Sequence, residues 1–268
     1  MRTVCLLLLT LLAAVPQAQA ARPEAFQQLY DQLLRNYWRP QVVIHGIPTT
    51  VLDYALLSRD AAAPDSLYRR TLAALAHSDP GGLAADDDKA FWLNVYNFGA
   101  IRLVVDNYPV DSIRSLKISL LKHPWSKKAV TVGGRKYSLA EIEKDRLLRR
   151  HHDPRIVFAV SCAAVSCPDR IPEAFSGPRL EAQLEAMIRG FFANSGKGAR
   201  LDRERGILTL SWILKKDAEL FESQPGGVLG FVLPYLPPED QAWLRGHRVE
   251  IRYFEHDWTL NDLAQADS

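Results

Sequence analysis

The sequence predicts an α+β fold in a single domain, with helices packed on a small, mostly antiparallel sheet around a buried central helix at about 86–107. Three observations carry this prediction. Phe91 to Val105 is apolar almost all round, as a helix enclosed by the rest of the fold must be. Residues Ala129 to Val132 and Arg135 to Ser138 flank Gly133-Gly134 with alternating polarity, which is the pattern of a tight hairpin. No repeat, low-complexity tract or long linker divides the chain.

The elements follow in order. Arg2, the apolar run Val4 to Val15 broken only by Thr10, and Ala18-Gln19-Ala20 form a cleavable signal peptide over 1–20, with cleavage before Ala21. The run is about a dozen residues, short of the roughly 20 that a membrane anchor needs. Cys5 lies near its start, which disfavours a lipoprotein. The expectation is an exported protein, periplasmic or secreted, whose mature domain is 21–268 and has no later membrane-spanning segment.

Ala21 to Tyr37 has helical spacing of Phe26, Leu29, Leu33, Leu34 and Tyr37, and Arg39-Pro40 closes it. Pro64 to His77 predicts a second helix, stopped at Ser78 to Gly82. Asp86, Asp87 and Asp88 place negative charge at the positive end of the central helix. Ser138 and Glu141 fit a capping box that opens a helix to about Arg150. Arg155 to Val160 predicts a short strand leading into the cysteines. The stripe Leu180, Leu184, Met187, Ile188, Phe191 and Phe192 predicts a core-facing helix. A second hairpin turns about Arg205-Gly206, short helices cover 226–236 and 238–246, and Arg248 to Tyr253 alternates as a last strand.

The formal net charge is +2, with cations interspersed among acids, so nucleic acid is not an expected partner. The basic run Arg146 to His152 suits a solvated helix end. No motif calls for a cofactor.

Removal of Cys5 with the signal leaves Cys162 and Cys167. In an oxidising compartment such a pair predicts a disulfide. A thiol nucleophile at Cys162, or a redox pair, is the competing chemistry. Metal binding is disfavoured, because C-x4-C is wider than common zinc pairs and no histidine is adjacent in sequence. A thiol nucleophile needs a base. His256, followed by Asp257, is the best placed, although neighbouring residues in extended chain face opposite ways. His123, before Pro124-Trp125, is the second choice. Glu143 and Asp257 are the possible acids. Asn94 and Asn97 share a face of the central helix, where buried amides either satisfy loop backbone or position a site.

Longer motifs run through the chain in a fixed order: Phe91-Trp92-Leu93-Asn94-Val95-Tyr96-Asn97, Tyr108-Pro109-Val110, Pro124-Trp125, Ile142-Glu143, Asp153-Pro154-Arg155-Ile156, Phe158 to Pro168 with both cysteines, and Asp257-Trp258-Thr259-Leu260-Asn261. In these the chain resembles the domain of unknown function 547 family of bacteria and plants, over roughly Asp53 to Asp262. The resemblance implies a shared fold and a shared residue cluster, with no established activity attached. This chain has Lys144 and Val157 where members commonly carry histidine, which shifts attention to His256 and His123.

Two functions follow as expectations. The first is a thiol-dependent enzyme, hydrolase or transferase, centred on Cys162 with His256 and Asp257. The second is a non-catalytic periplasmic binding or assembly module with a structural Cys162–Cys167 disulfide. In that case Asn94, Asn97, Glu143, Arg155 and Trp258 line a groove for a small molecule or a periplasmic protein.

Overall fold

A computed structural model describes residues 23–121 and 123–267; the expected signal segment and Cys5 lie outside them. In chain order the elements are α1 (Pro23–Tyr37), β1 (Trp38–Ile44), β2 (Ile47–Leu52), α2 (Tyr54–Asp60), α3 (Leu67–His77) and α4 (Ala85–Val105). Then come β3 (Lys128–Val132), β4 (Arg135–Ser138), α5 (Leu139–Glu141), a π-helical stretch Ile142–Leu148, and α6 (Arg149–His151). The remainder is α7 (Leu180–Ala193), β5 (Ala199–Asp202), β6 (Ile207–Leu210), α8 (Trp212–Lys216), α9 (Ala218–Glu222), α10 (Gly227–Val232), α11 (Pro238–Gly246) and β7 (Glu250–Tyr253).

The α+β prediction holds, and α4 is the buried central helix. Its apolar residues meet α1, α3 and β3, with Phe98 edge-on to Phe26 and Tyr30 at centroid distances of 5.7 Å. Gly99 permits this closeness on the β3 side, since an added Cβ would stand 3.0 Å from Leu139 Cδ2 and 3.3 Å from Val130 Cγ1. Ser138 and Glu141 form the expected capping box. Gly133 and Gly134 both take positive φ, as the tight β3–β4 turn demands.

The sheet is divided. β1–β2 and β3–β4 are separate antiparallel pairs, and β5–β6–β7 is a third unit in which β6 and β7 run parallel. The β1–β2 hairpin occupies residues that Arg39-Pro40 made look like a mere helix stop. Proline is accommodated there because the register shifts between Arg39 and Val42, so no ladder bond is required of it.

One expected strand is absent. Residues Pro154–Phe158 form a 3-10 turn, not the strand expected at 155–160. Pro154 occupies the first turn, where its missing N–H costs nothing, and Asp153 caps it by accepting from the Arg155 N–H. The apolar run is short because Ile156 enters the main core while Val157 and Phe158 enter a second one. Helix α7 joins the two cores: Leu180 and Leu184 pack in the first, and Ile188, Phe191 and Phe192 in the second. Among the described residues no helix is long and apolar enough to cross a membrane.

Candidate functional site

The cysteine segment is held from three sides. Asn97, on α4, donates to the Ala159 carbonyl at 2.9 Å and accepts from the Ser161 N–H at 2.8 Å. Arg170 donates to the Ser161 carbonyl at 3.2 Å. Lys197, wholly buried, donates to the Val165 carbonyl at 3.1 Å and pairs with Asp169 at 2.8 Å. Ala163 then takes φ +62°, an unfavourable conformation for alanine that turns the chain sharply after Cys162.

That turn lets residues 163–166 lie antiparallel to 257–261. The Val165 N–H donates to the Thr259 carbonyl at 2.9 Å, and the Asn261 N–H to the Ala163 carbonyl at 3.1 Å. Ser166 Oγ accepts from the Asp257 N–H at 2.9 Å. This pairing carries His256 to the cysteines. One ring nitrogen of His256 and the sulfurs of Cys162 and Cys167 all lie within 4.8 Å of one another.

The two sulfurs stand at disulfide-bonding distance, with Cα atoms 6.2 Å apart. Cys162 is half-buried and Cys167 is buried. The Cys162 N–H donates to Cys167 Sγ at 3.3 Å. The pair forms part of the wall of a pocket of about 50 Å³, lined also by Tyr96, Trp125, Glu143, Trp212, Lys216 and Trp258. That volume holds a few waters or the end of a small ligand.

His256 stands against Trp258 at 4.1 Å and Trp212 at 5.0 Å between centroids, and both its ring nitrogens are buried without a hydrogen-bond partner. Burial pushes its pKa down to about 4, so near neutrality it is an uncharged imidazole. Also lining the pocket, Lys216 lies 3.4 Å from Glu143 and 3.1 Å from Asp217. Burial opposes its charge, but these two carboxylates outweigh it and raise its pKa. Burial, reinforced by the Glu143 charge, raises the Tyr96 phenol far above its ordinary value and keeps it a proton donor. Glu143 belongs to the π-helical stretch, a distortion that often marks functional positions.

The residues expected from sequence separate into two groups. Cys162, Cys167, His256, Glu143 and Trp258 meet in the pocket. Asp257 does not orient His256: its carboxylate pairs with His45 at 2.8 Å and accepts from the Thr259 N–H at 2.9 Å. Asn94 exchanges two 2.9 Å bonds with the backbone of Phe175, away from the pocket. Asn97 supports the cysteine segment from behind, and with Asn94 it lines a separate small cavity of about 10 Å³ beside Ser161 and Arg170. Arg155 is engaged by Asp153 at 2.8 Å and Glu181 at 2.7 Å, outside the pocket. His123 is exposed and does not line the pocket. Val157, at a position where the family commonly has histidine, lines the pocket wall, and Lys144 is exposed.

Tyr96, Trp212 and Lys216 were not anticipated as site residues. Tyr96 carried a signal, since it lies within the same motif as Asn94 and Asn97; the other two carried none.

Fold and site together define an α+β protein with a cysteine pair and a buried imidazole in the wall of an aromatic pocket. Residues 80–192 match the family model described as "Protein of unknown function, DUF547", in agreement with the ordered motifs. The match takes in both cysteines and Glu143 and ends before His256 and Trp258. No curated protein and no solved structure gave a match.

Proposed function

We propose that this chain is an exported thiol-dependent enzyme, a hydrolase or transferase, that works through Cys162 when the cysteine pair is reduced. The observation that carries the reading is the clustering of a neutral imidazole with both sulfurs within 4.8 Å in a pocket.

The chemistry begins with the oxidised pair. An incoming thiolate attacks the more accessible Cys162 sulfur and expels Cys167 as thiolate, toward which the Cys162 N–H already points. A second thiol releases Cys162. His256 then takes the Cys162 proton, and the thiolate adds to the carbonyl carbon of an acyl donor. The imidazolium returns that proton to the leaving group. The resulting thioester passes its acyl group to water or another acceptor, restoring the thiol. Tyr96 is the hydrogen-bond donor for the oxyanion, and the Lys216–Glu143 pair supplies fixed charge in the same pocket. His256 provides the imidazole that Val157 does not.

The test is intact-mass trapping. Reduced protein incubated with small acyl thioesters should acquire one acyl group on Cys162. The adduct should be lost in Cys162→Ala, retained in Cys167→Ser and slowed about a hundredfold or more in His256→Ala, the range that general-base loss typically costs. Acylation spread equally over both cysteines, or unaffected by the histidine, contradicts the reading.

A second reading has its own support. The sulfurs are paired, and the pocket is mostly apolar, with Tyr96 and three tryptophans in its wall, as in a non-catalytic binding or assembly module with a structural disulfide. A Cys162→Ser/Cys167→Ser double variant that keeps full function in cells would favour it.

A further inference from the structure

We propose that, once the pair is reduced, Cys162, Cys167 and His256 form a three-ligand site for zinc, whose fourth position faces the pocket. The site does not depend on the thiol-transfer reading, since it needs only the same three side chains.

The donor set is the first argument. Two thiolates and an imidazole suit zinc, and three protein ligands with one open position is a known arrangement of reactive zinc centres. The charge also balances: two thiolates neutralise the divalent ion, and a neutral imidazole adds none. A neutral complex can occupy an apolar, aromatic wall without the desolvation cost of a net charge.

Geometry is the second. The three ligand atoms already lie within 4.8 Å of one another. A tetrahedron with bonds of ~2.3 Å to sulfur has edges of ~3.8 Å, so only small side-chain movements are required after the sulfurs separate. The wide C-x4-C spacing is compensated by Ala163, whose positive φ folds the intervening chain so that the Cα atoms stand 6.2 Å apart.

His256 points to a ligand independently of the cysteines. Both nitrogens of His256 are buried with no partner, which is costly for a polar side chain unless something occupies one of them. A metal on the nitrogen nearest the sulfurs removes that deficit at one position. Cys162 and His256 are half-buried, Cys167 is buried, and all three line the pocket, so the open position faces that pocket, which Glu143 and Tyr96 also line.

The pair must first be opened. A water-soluble phosphine gives two electrons and takes the oxygen of a water molecule, whose two protons appear on the sulfurs. Zinc then displaces both thiol protons. The disulfide and the metal are therefore mutually exclusive states of the same side chains.

The experiment uses the mature chain, reduced with phosphine and desalted without oxygen, then titrated with zinc against a chromophoric chelator and with cobalt as a spectroscopic substitute. Reduced protein should bind one ion per chain, with a thiolate-to-cobalt charge-transfer band and the intense visible bands of a tetrahedral site. Cys167→Ser and His256→Phe should each weaken binding by more than the roughly 10–100-fold that loss of a second-shell partner costs. His123→Ala should bind as the parent does. Zinc should also protect Cys162 from alkylation. The site is overturned if oxidised protein binds zinc equally well, if Cys167→Ser retains parental affinity, or if reduced protein shows no thiolate–cobalt band. Acyl trapping is read on metal-free protein, so a missing adduct counts against the enzyme alone. Lost zinc binding with trapping intact counts against the metal site alone.

Discussion

His256 enters the folded protein as a neutral imidazole, and its burial has a thermodynamic consequence. Its folded pKa of about 4 lies below the ordinary value of 6.5, so between these pH values the unfolded chain binds more protons. Stability contributed by this group is therefore present above about pH 6.5 and is lost as pH falls toward 4. The shift corresponds to about 3 kcal/mol. Urea unfolding at pH 7 and pH 4 should show the parent losing about that much more stability than His256→Phe. Parallel losses in the two proteins would contradict the assignment. The two asparagines make a matched pair at the same scale. Asn97→Ala leaves the Ala159 carbonyl and Ser161 N–H unpaired and should cost about 2–4 kcal/mol. Asn94→Ala should cost a similar amount. Only Asn97→Ala should also change the alkylation rate of Cys162, because only Asn97 holds the chain leading to it. Both residues could be picked out in the sequence as amides on one face of an apolar helix. Which of them reached the cysteine segment depended on partners 62 to 81 positions away.

At the scale of elements, local pattern was a good guide where the structure is local. The buried helix, the Gly133-Gly134 hairpin and the Ser138 capping box all depend on residues close in sequence. The failures have physical causes. The β1–β2 hairpin was hidden by Pro40, which a strand tolerates at a bulge. The strand expected at 155–160 is a 3-10 turn, because its apolar residues divide between two cores instead of lying on one sheet face. Half of the site was legible: the cysteines, His256, Glu143 and Trp258 were all singled out. Their meeting was not, since it is produced by residues 163–166 pairing with 257–261. Lys216 and Trp212 carry no motif of their own. The cysteine segment itself is pinned by Lys197, whose amine is fully buried and held by Thr49, Val165 and Asp169. Lys197→Met leaves Asp169 without its cation. Because that carboxylate is partly exposed, the cost should fall near the lower end, about 3 kcal/mol by chemical denaturation. Adding Asp169→Asn should recover part of it; no recovery would mean that the pair does not act as a unit.

For the molecule as a whole, the cysteine pair closes a loop of only six residues, so it contributes little to global stability. Chain-entropy reasoning gives about 2 kcal/mol for a loop of this length. Two cores joined by α7, with α4 enclosed on all sides, should keep the chain folded after reduction. Far-ultraviolet circular dichroism should be unchanged by a phosphine reductant, with a small fall in denaturation midpoint; wholesale unfolding would show the bond to be a structural necessity. A pair that can open without unfolding the protein is what both thiol chemistry and metal binding require.

Thiol chemistry at this site requires His256 and Cys162 to act together. The most direct measurement is the rate of iodoacetamide labelling of Cys162 in reduced, metal-free protein from pH 5 to 9, followed by peptide mass spectrometry. A thiolate freed beside His256 by reduction favours the imidazolium over the neutral ring of the oxidised protein, so coupling predicts that Cys162 labels faster than Cys167, with a midpoint below the ~8.5 of a free thiol that moves upward in His256→Phe. A midpoint at the free-thiol value, identical in parent and variant, would contradict the account.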